Sequence, residues 1–267
     1  MKNKHKLIIS DYDGTLAGKD HKISQATSSA IKKWVASGRN FTIATGRQFL
    51  MIKHEARELG LTTPQITRGG AEIIDPLTEK VIYSELIDQP TVEDFTSFMK
   101  KNGYGFIVEQ NGILYSTYPT SYGYPEIQEL PFDDFVMSSA PKILVSLRGK
   151  DINESEKFLE DVVTKKYPQL HIAKSYNPIE KVWDVTSLSA TKHLAVLELL
   201  KLLDVPREEA VGVGDGYNDF PLLEACGLKV AMGNAVEELK AIADFVVPTQ
   251  KEEGVVFLIE KLLREEV

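Results

Sequence analysis

The sequence predicts an α/β protein in which an α+β domain interrupts a core built on a parallel sheet. Strand and helix patterns alternate over residues 1–85 and again over residues 185–267. This order favours parallel strands joined by right-handed crossovers. Within residues 86–184, Asn111-Gly112 separates two apolar runs, which is a strong signal for a hairpin of antiparallel strands.

The core begins with a buried strand and a capped helix. Leu7–Ser10 is a short apolar run typical of an interior strand. Apolar residues then recur at helical spacing from Ile23 to Val35, with Ser24 as a candidate N-cap and Gly38 just past the end. The next predicted elements are a strand at Phe41–Thr45, a helix from Phe49 to Leu59 that ends at Gly60, a strand at Gln65–Thr67, and a hairpin of Ile73–Ile74 with Val81–Tyr83.

The inserted segment, residues 86–184, has a different pattern. A helix through Val92 and Met99 ends at Asn102-Gly103, and the hairpin joins Gly105–Glu109 to Ile113–Thr117. Because hairpins pair their strands antiparallel, we expect an antiparallel sheet here. The remaining predicted elements are a strand at Lys142–Arg148, a helix at Glu154–Lys165, and strands at Ile172–Lys174 and Val182–Val185.

The last part of the chain returns to alternating strands and helices. Leucines at helical spacing predict a helix that contains Leu194, Leu197, Leu200 and Leu203. Three strands and two helices follow, at Ala210–Val213, Leu228–Met232 and Phe245–Val247, and at Ala235–Ala243 and Gly254–Arg264.

The composition is that of an ordinary globular protein. The chain has 267 residues, 43% of them hydrophobic, and its 31 basic and 39 acidic side chains give a net charge of −8. Because a negatively charged protein binds nucleic acid poorly, we expect no nucleic-acid partner. The single cysteine, Cys226, excludes an internal disulfide and favours a reducing compartment.

We expect neither a membrane span nor a signal peptide. No stretch approaches the roughly 18 apolar residues that a membrane span needs. The basic start, Met1–Lys6, precedes an apolar run that stops at Ser10 and is too short for a signal peptide. These observations predict a cytoplasmic protein without a membrane partner, and they leave its oligomeric state open.

A pair of acidic residues follows the first predicted strand. Asp11 and Asp13 are two positions apart and therefore project to the same side, and Gly14 behind them permits a sharp turn. Two carboxylates that share a small site repel each other unless a cation, a proton or a catalytic use compensates. The pair therefore suggests a metal-assisted carboxylate nucleophile, which is a chemistry of phosphoryl transfer.

Polar or small residues also follow three other predicted strands, at Thr45-Gly46-Arg47, Gly69-Gly70 and Gly214–Asp219. In open α/β sheets the carboxyl edge is where ligands bind. Asp215 and Asp219 would bring further carboxylates there, an oxygen-rich set that suits Mg²⁺. Taken alone, Gly214–Asp219 is more typical of a polar surface turn, but beside Asp11 and Asp13 a ligand site is strongly favoured. A dinucleotide-binding glycine fingerprint starting at Gly212 is disfavoured, because Tyr217 stands where a glycine is needed.

Four segments, taken in order, resemble the four motifs of the haloacid dehalogenase superfamily. They are Asp11–Leu16, Ala44–Arg47, Lys192 and Gly214–Asp219. Val230–Ala235, together with Ala243-Asp244, further resembles the Cof-type branch of hydrolases, and the insert resembles the α/β cap (class IIB) of that branch. The resemblance spans essentially the whole chain. It implies a Rossmann-like catalytic core at residues 1–85 and 185–267 and a substrate-specificity cap at residues 86–184.

The resemblance also implies catalytic roles. Asp11 would be the nucleophile that takes the phosphoryl group as an aspartyl phosphate, and Asp13 would act as general acid and then general base. Lys192 would neutralise developing charge and the Asp11 carboxylate. Mg²⁺ would be bound by Asp11, the Asp13 backbone carbonyl and Asp215, with Asp219 as a weaker or water-mediated ligand.

Phosphate binding would fall to Thr45, the Gly46 N–H, Lys192 and Asn218. Each residue also has a structural alternative. Thr45 could simply end a strand, Lys192 could be a solvated lysine in a first helical turn, and Asn218 could cap the helix that starts at Asp219. Arg47 is either a substrate contact or a surface helix residue.

Two positions depart from the pattern of the family. Arg68-Gly69-Gly70-Ala71 replaces the usual Asn-Gly-Ala, so Arg68 could supply a cation to the substrate. His193 follows the motif lysine where glycine is usual, and a helix-face role suits it better than a catalytic one. Both departures affect the expected specificity more than the expected chemistry.

Aromatic residues of the insert raise a question about the substrate. Tyr115, Tyr118, Tyr122 and Tyr124 could stack on a sugar or a ring, although loop packing explains them more simply. Tyr176–Pro178 and Trp183 lie near the return of the chain to the core and could face the active-site cleft.

The expected function is that of a Mg²⁺-dependent phosphatase acting on small phosphorylated metabolites, namely sugar phosphates or a phosphorylated cofactor. A phosphomutase and a biosynthetic sugar-phosphate phosphatase are near alternatives. A non-catalytic phosphate-ligand sensor is an alternative of another class, although such a sensor needs no nucleophile.

Overall fold

The chain folds into two compact units. The computed structural model describes residues 4–119, 127–176 and 181–266. Unit 1 comprises Met1–Tyr83 and Thr191–Val267, and unit 2 comprises Ser84–Ala190. The sequence placed the return to the core at residue 185, whereas unit 2 continues to Ala190, because its last strand runs beyond that point.

The strands are β1 Leu7–Ser10, β2 Asn40–Ile43, β3 Gln65–Thr67, β4 Glu72–Ile74, β5 Val81–Ser84, β6 Gly105–Gln110, β7 Ile113–Ser116, β8 Gln128–Pro131, β9 Lys142–Ser146, β10 Leu170–Tyr176, β11 Lys181–Ser187, β12 Ala210–Gly214, β13 Leu228–Ala231 and β14 Phe245–Val246. The helices are α1 Gln25–Ala36, α2 Lys53–Glu58, α3 Gln89–Lys101, α4 Ile152–Phe158, α5 Thr164–Lys166, α6 Lys192–Leu202, α7 Phe220–Ala225, α8 Glu237–Ile242 and α9 Gly254–Leu263.

Unit 1 is built on a parallel sheet, as predicted. Its strand order is β14-β13-β12-β1-β2, and every neighbouring pair is parallel. β1 is an interior strand between β12 and β2 and is buried along its whole length, which is why Leu7–Ser10 is almost entirely apolar. Helices α1 and α9 pack against each other, as do α6 and α7. The predicted α/β class with a Rossmann-like core is confirmed.

The local signals of the first helix act as expected. The Ser24 side chain accepts a hydrogen bond from the Thr27 N–H and caps α1. Gly38 follows the helix with a positive φ of 81°. The second predicted helix is in fact interrupted, because a short 3₁₀ turn at Phe49–Met51 precedes α2 and the chain leaves helical geometry at Ile52.

Strand β3 connects two sheets of unit 1. It pairs antiparallel with β4, and the predicted hairpin places β5 beside β4. It also touches the parallel sheet, because Ile66 forms a parallel bridge with Ala44 and its carbonyl accepts the Thr45 N–H at 3.0 Å. The loop after β3 therefore lies next to the loop after β2.

Unit 2 contains a six-stranded sheet with its own apolar core. The order is β10-β11-β9-β6-β7-β8, antiparallel except for the parallel pair of β7 and β8. Strand β8 was not predicted. The predicted helix at Glu154–Lys165 is divided into α4, a π-helical turn at Leu159–Val163, and α5.

The aromatic residues of unit 2 serve mainly its core. Trp183 is fully buried, with its ring 5.4 Å from that of Tyr104, so the expectation that it faces a cleft is wrong. The half-buried Tyr115 ring lies 5.0 Å from the Phe135 ring and packs on the same core. Tyr122, Tyr124 and the Asn177-Pro178 pair lie outside the described residues, as does the side chain of Tyr176.

Among the residues that the structure describes, none of the helices is both long enough and apolar enough to span a bilayer.

Candidate active site

The carboxyl ends of β1 and β12 bring two predicted aspartates together. Ser10 is in register with Val213, and the Asp11 N–H donates to the Val213 carbonyl at 2.9 Å. Asp11 directly follows β1, and Asp215 directly follows β12. The parallel pairing therefore places residues from opposite ends of the sequence at one sheet edge.

A buried lysine joins two of the carboxylates. Lys192 is the first residue of α6, and the Thr191 side chain caps this helix by accepting the Leu194 N–H. The Lys192 ammonium donates to Asp11 Oδ1 at 2.6 Å and to Asp219 Oδ1 at 2.7 Å. Because Lys192 is only 3% exposed, it is not a solvated surface lysine.

The electrostatics show how crowded this cluster is. Burial, and then the neighbouring Asp219 carboxylate, raise the pKa of Asp11 well above its ordinary value, although Lys192 opposes this. Burial works against the Lys192 ammonium, but Asp11 and Asp219 outweigh it, so the pKa of Lys192 is raised. Burial also raises the pKa of Asp215 to about 6, against the hydrogen bond from Thr15. A single ammonium thus faces three acidic groups.

Two side chains hold the Asp215 carboxylate in place. Thr15 Oγ1 donates to Asp215 Oδ1 at 2.9 Å, and Asn234 Nδ2 lies 3.3 Å from Asp215 Oδ2. Asn234 Nδ2 also donates to the Gly14 carbonyl at 3.0 Å. Gly14 has a φ of 88°, and a Cβ there would lie 2.3 Å from Asp215 Oδ2, so only glycine fits this close approach.

The residues present fit a hard divalent cation. Asp11, Asp215 and Asp219 each offer a carboxylate oxygen, and these atoms lie within 4.8 Å of one another. Asp219 is the least available of the three, because its Oδ1 accepts from Lys192 and its Oδ2 accepts the N–H groups of Asp215 and Gly216, both at 2.9 Å. The donor set therefore centres on Asp11 and Asp215.

Asp13 lies apart from this cluster. Its carboxylate is half exposed and accepts two hydrogen bonds from Arg47, from Nε at 2.7 Å and from Nη2 at 2.6 Å. His21 Nδ1 lies 3.1 Å from Asp13 Oδ1. The sequence placed Arg47 against substrate or on a surface helix, whereas the structure pairs its guanidinium with Asp13.

The predicted phosphate-binding residues lie in loops at the same edge. Thr45 is buried beyond β2, and its hydroxyl accepts the Arg47 N–H at 3.1 Å, which shapes the turn around Gly46. Asn218 is exposed within a 3₁₀ turn at Tyr217–Asp219. The alternative that Asn218 caps α7 is wrong, because α7 follows Asp219 directly and has no side-chain cap.

Arg68 has an internal partner. It is 4% exposed, forms an ion pair with the buried Glu72, and donates to Gln48 Oε1 at 3.3 Å. This geometry favours a structural role in the loop after β3, and the proposed contact with substrate stays a prediction. His193 is the second residue of α6 and is half-buried there.

Sequence reasoning did not assign roles to Thr15, His21 and Asn234. Thr15 lies within the first motif, and Asn234 lies in the segment that pointed to the Cof-type branch. Their positions could have drawn attention to them. Their contacts with Asp215, Gly14 and Arg47 could not have been inferred, because these join loops that only the folded sheet brings together.

Comparison with known proteins agrees with this arrangement. The haloacid dehalogenase-like hydrolase family matches residues 8–259. Phosphatase YwpJ of Bacillus subtilis is 29% identical, over 97% of this chain and 100% of its own. A second Bacillus subtilis protein, 5-amino-6-(5-phospho-D-ribitylamino)uracil phosphatase YitU, is 25% identical over 96% of both chains.

A solved structure gives the same picture. A sugar phosphatase of subclass IIB of the superfamily superposes with a TM-score of 0.79 and 27% identity, over 96% of this chain and 98% of its own. The resemblance to the Cof-type, class IIB branch is thereby confirmed. The chain therefore belongs to the haloacid dehalogenase-like hydrolase family and is a phosphatase of that family.

Proposed function

We propose that the protein is a Mg²⁺-dependent phosphatase that hydrolyses small phosphorylated metabolites through an aspartyl phosphate on Asp11. One observation carries the proposal. The buried Lys192 ammonium holds Asp11 and Asp219 at the edge of the sheet, beside the fixed carboxylate of Asp215. A structural ion pair needs only one acid, whereas the buried Lys192 ammonium holds two carboxylates. This arrangement favours a nucleophilic role for Asp11 over a purely structural one.

The proposed reaction has two steps. In the first, an Asp11 carboxylate oxygen forms a bond to phosphorus while the bond from phosphorus to the leaving oxygen breaks, and Asp13 gives that oxygen its proton. In the second, water attacks the phosphorus of the aspartyl phosphate, Asp13 takes a proton from this water, and the Asp11 carboxylate is released with inorganic phosphate. Asp13 ends in the state in which it began.

Charge neutralisation supports both steps. Lys192 lies 2.6 Å from Asp11 Oδ1 and reduces the repulsion between this carboxylate and an incoming phosphate anion. When bound by Asp11 and Asp215, with a contribution from the Asp13 backbone carbonyl, Mg²⁺ would supply further positive charge to the phosphoryl oxygens. We assign Asp219 to holding Lys192 and the loop after β12, with at most an indirect contact to the metal.

Phosphate contacts are proposed from the loops at the same edge. Thr45, the Gly46 N–H and Asn218 would hold phosphoryl oxygens that Lys192 does not reach. Their role would be orientation, because an in-line displacement depends on a fixed phosphoryl group.

The substrate class is proposed from two relatives. One is named a sugar phosphatase, and the other is a phosphatase of 5-amino-6-(5-phospho-D-ribitylamino)uracil. Both names describe small metabolites. We propose a phosphate on a sugar or on a cofactor precursor as substrate, and we propose that unit 2, as the specificity cap of this family, supplies residues that select it.

The first experiment is the release of inorganic phosphate from a panel of phosphorylated metabolites, with Mg²⁺ and with EDTA, for wild type and Asp11→Asn. We expect release that needs Mg²⁺ and is lost in the variant, because the amide is not a nucleophile. An Asp244→Asn variant is the matched control, since Asp244 is an exposed aspartate whose carboxylate accepts the Lys229 N–H.

The alternatives predict other outcomes. A phosphomutase would convert one sugar phosphate into its isomer without net release of phosphate. A sensor would bind a phosphorylated ligand without turnover, and Asp11→Asn would leave that binding intact. We further propose a cytoplasmic location on the evidence of the single cysteine. The absence of a nucleic-acid partner stays a prediction from the net charge.

A further inference from the structure

Arg47 and Asp13 form a two-point ion pair. Arg47 Nε donates to Asp13 Oδ2 at 2.7 Å, and Arg47 Nη2 donates to Asp13 Oδ1 at 2.6 Å. Two parallel hydrogen bonds from a planar guanidinium fix the plane of the carboxylate as well as its position. A single lysine ammonium in the same place would fix only its distance.

Arg47 is itself held by its surroundings. Its guanidinium carbon lies 4.7 Å from the centre of the Tyr12 ring. Tyr12 is fully buried, and in the sequence it stands between Asp11 and Asp13. The Arg47 side chain is 13% exposed, whereas that of Asp13 is 46% exposed. The arginine is thus the anchored partner, and the aspartate is the partner that would otherwise sample several rotamers.

His21 completes the cluster. Its Nδ1 lies 2.7 Å from Arg47 Nη2 and 3.1 Å from Asp13 Oδ1, so the imidazole contacts both members of the ion pair. The Tyr12 hydroxyl donates to the His21 carbonyl at 3.2 Å, and the His21 N–H donates to the Gly18 carbonyl at 2.9 Å. These contacts keep His21 at a positive φ of 59° beside Arg47.

We propose that Arg47 is a positioning residue for Asp13, supported by Tyr12 and His21, and that its guanidinium serves the general acid and does not bind substrate. The inference rests on the proposed function, in which Asp13 protonates the leaving oxygen. Because both Asp13 oxygens accept from Arg47, the pair holds the ionised carboxylate, which is the form that Asp13 takes as it gives up its proton. Arg47, in the second motif, would thereby position Asp13, the acid in the first motif.

The effect of losing Arg47 should depend on the leaving group of the substrate. An alkoxide such as a sugar oxygen leaves poorly without a proton, whereas p-nitrophenolate leaves readily without one. General acid catalysis contributes about 100- to 10,000-fold to rates that need it. Loss of Arg47 should therefore slow the cleavage of alkyl phosphates strongly and that of p-nitrophenyl phosphate only weakly.

The test compares kcat/KM for an alkyl phosphate that the wild type hydrolyses and for p-nitrophenyl phosphate. This ratio reports steps up to departure of the leaving group and excludes the later hydrolysis of the aspartyl phosphate, which all substrates share. The variants are Arg47→Ala and Arg47→Lys. The control is Arg39→Ala, because Arg39 also lies over an aromatic ring, that of Trp34 at 4.9 Å, but outside the site.

We expect Arg47→Ala to lower kcat/KM for the alkyl phosphate by at least about 30-fold more than for p-nitrophenyl phosphate, a share of the general-acid contribution. Arg47→Lys should behave similarly, because it keeps the charge and loses the two-point contact. In an Asp13→Ala background, Arg47→Ala should have little further effect. Thermal unfolding of each variant checks that it is folded.

Other outcomes would overturn the inference. An equal loss for both substrates, rescued by Arg47→Lys, would mean that Arg47 binds the substrate phosphate, and the proposed phosphatase function would stand. Additive losses in the Asp13→Ala background would also exclude a positioning role. If wild type hydrolyses neither class of phosphate, the proposed function fails and this inference fails with it.

Discussion

At the scale of single residues, the partners of a charged side chain decide its use. Asp219 has the sequence context of a metal ligand, yet both of its oxygens already accept hydrogen bonds, from Lys192 and from two backbone N–H groups. Arg68 has the context of a substrate cation, yet Glu72 pairs with it in the interior. Leaving either buried charge unpaired would cost several kcal/mol, so these pairs are part of the fold.

The side chain of Asn234 is predicted to strengthen metal binding. Its amide contacts both Asp215 Oδ2 and the Gly14 carbonyl, so it orients a proposed metal ligand. Loss of such an outer contact typically weakens metal binding by about 10- to 100-fold. We expect Asn234→Ala to weaken Mg²⁺ binding by about 10-fold, measured by calorimetric titration of the protein without substrate.

Asn153→Ala is the control for that titration, because Asn153 is an exposed asparagine on α4 in unit 2. An unchanged Mg²⁺ affinity in Asn234→Ala, with an intact fold, would show that the Asn234 amide does not orient the metal ligands.

At the scale of elements, the start of α6 depends on the loop after β3. Gly70 has a φ of 108°, and a Cβ there would lie 2.3 Å from the carbonyl carbon and oxygen of Thr191. Thr191 caps α6, and Lys192 is the first residue of that helix. The position of the active-site ammonium is therefore coupled to a close approach that only glycine permits.

The substitution Gly70→Ala tests this coupling. Gly60→Ala is a matched control, because Gly60 also has a positive φ, 69°, but a Cβ there meets nothing within 4 Å. The control should cost about 1 kcal/mol of unfolding free energy for the left-handed conformation alone. Because a backbone clash is added at Gly70, Gly70→Ala should cost more and should also lower phosphatase activity.

Urea unfolding and phosphate release measure the two effects. Equal destabilisation by the two substitutions would argue against a tight contact between Gly70 and the start of α6.

At the scale of the whole molecule, the two units differ in how the chain builds them. Unit 1 is discontinuous, and its proposed active site combines Asp11 from the first segment with Lys192 and Asp215 from the second. Unit 2 is one continuous segment with its own six-stranded sheet and its own apolar core. An independent core is the usual requirement for independent folding.

We therefore expect residues 84–190 to fold when expressed alone. The measurement is thermal unfolding of this fragment followed by circular dichroism, and we expect a cooperative transition. Phe95→Ala in this fragment is the internal check, because Phe95 is fully buried in the core of unit 2 and its truncation should cost about 3–5 kcal/mol. A fragment without a cooperative transition, binding a hydrophobic dye, would show that unit 2 depends on the rest of the chain.

Much of the fold was predictable because its signals are local. The buried strand Leu7–Ser10, the Ser24 cap and the Asn111-Gly112 hairpin depend on apolar spacing, capping and turn chemistry within a few residues. The errors have physical reasons as well. β8 is a short edge strand, Gln128–Pro131, without an apolar pattern. The interruption of the helix at Ile52 is not marked in the sequence by a glycine or a proline.

The α/β class, the order of the elements and the presence of acidic motifs after strands were predictable without coordinates, because they follow from short-range periodicity and residue type. The pairing of the charged side chains depends instead on the tertiary fold. Arg47 pairs with Asp13, and Arg68 pairs with Glu72. Lys192 also binds Asp219, beyond the contact with Asp11 that the family resemblance implied. The contacts of Arg47 and Lys192 join distant parts of the chain through strand order and register, and local sequence does not encode these. Arg68 and Glu72 are close in sequence, but whether they lie buried together depends on how the loop after β3 packs.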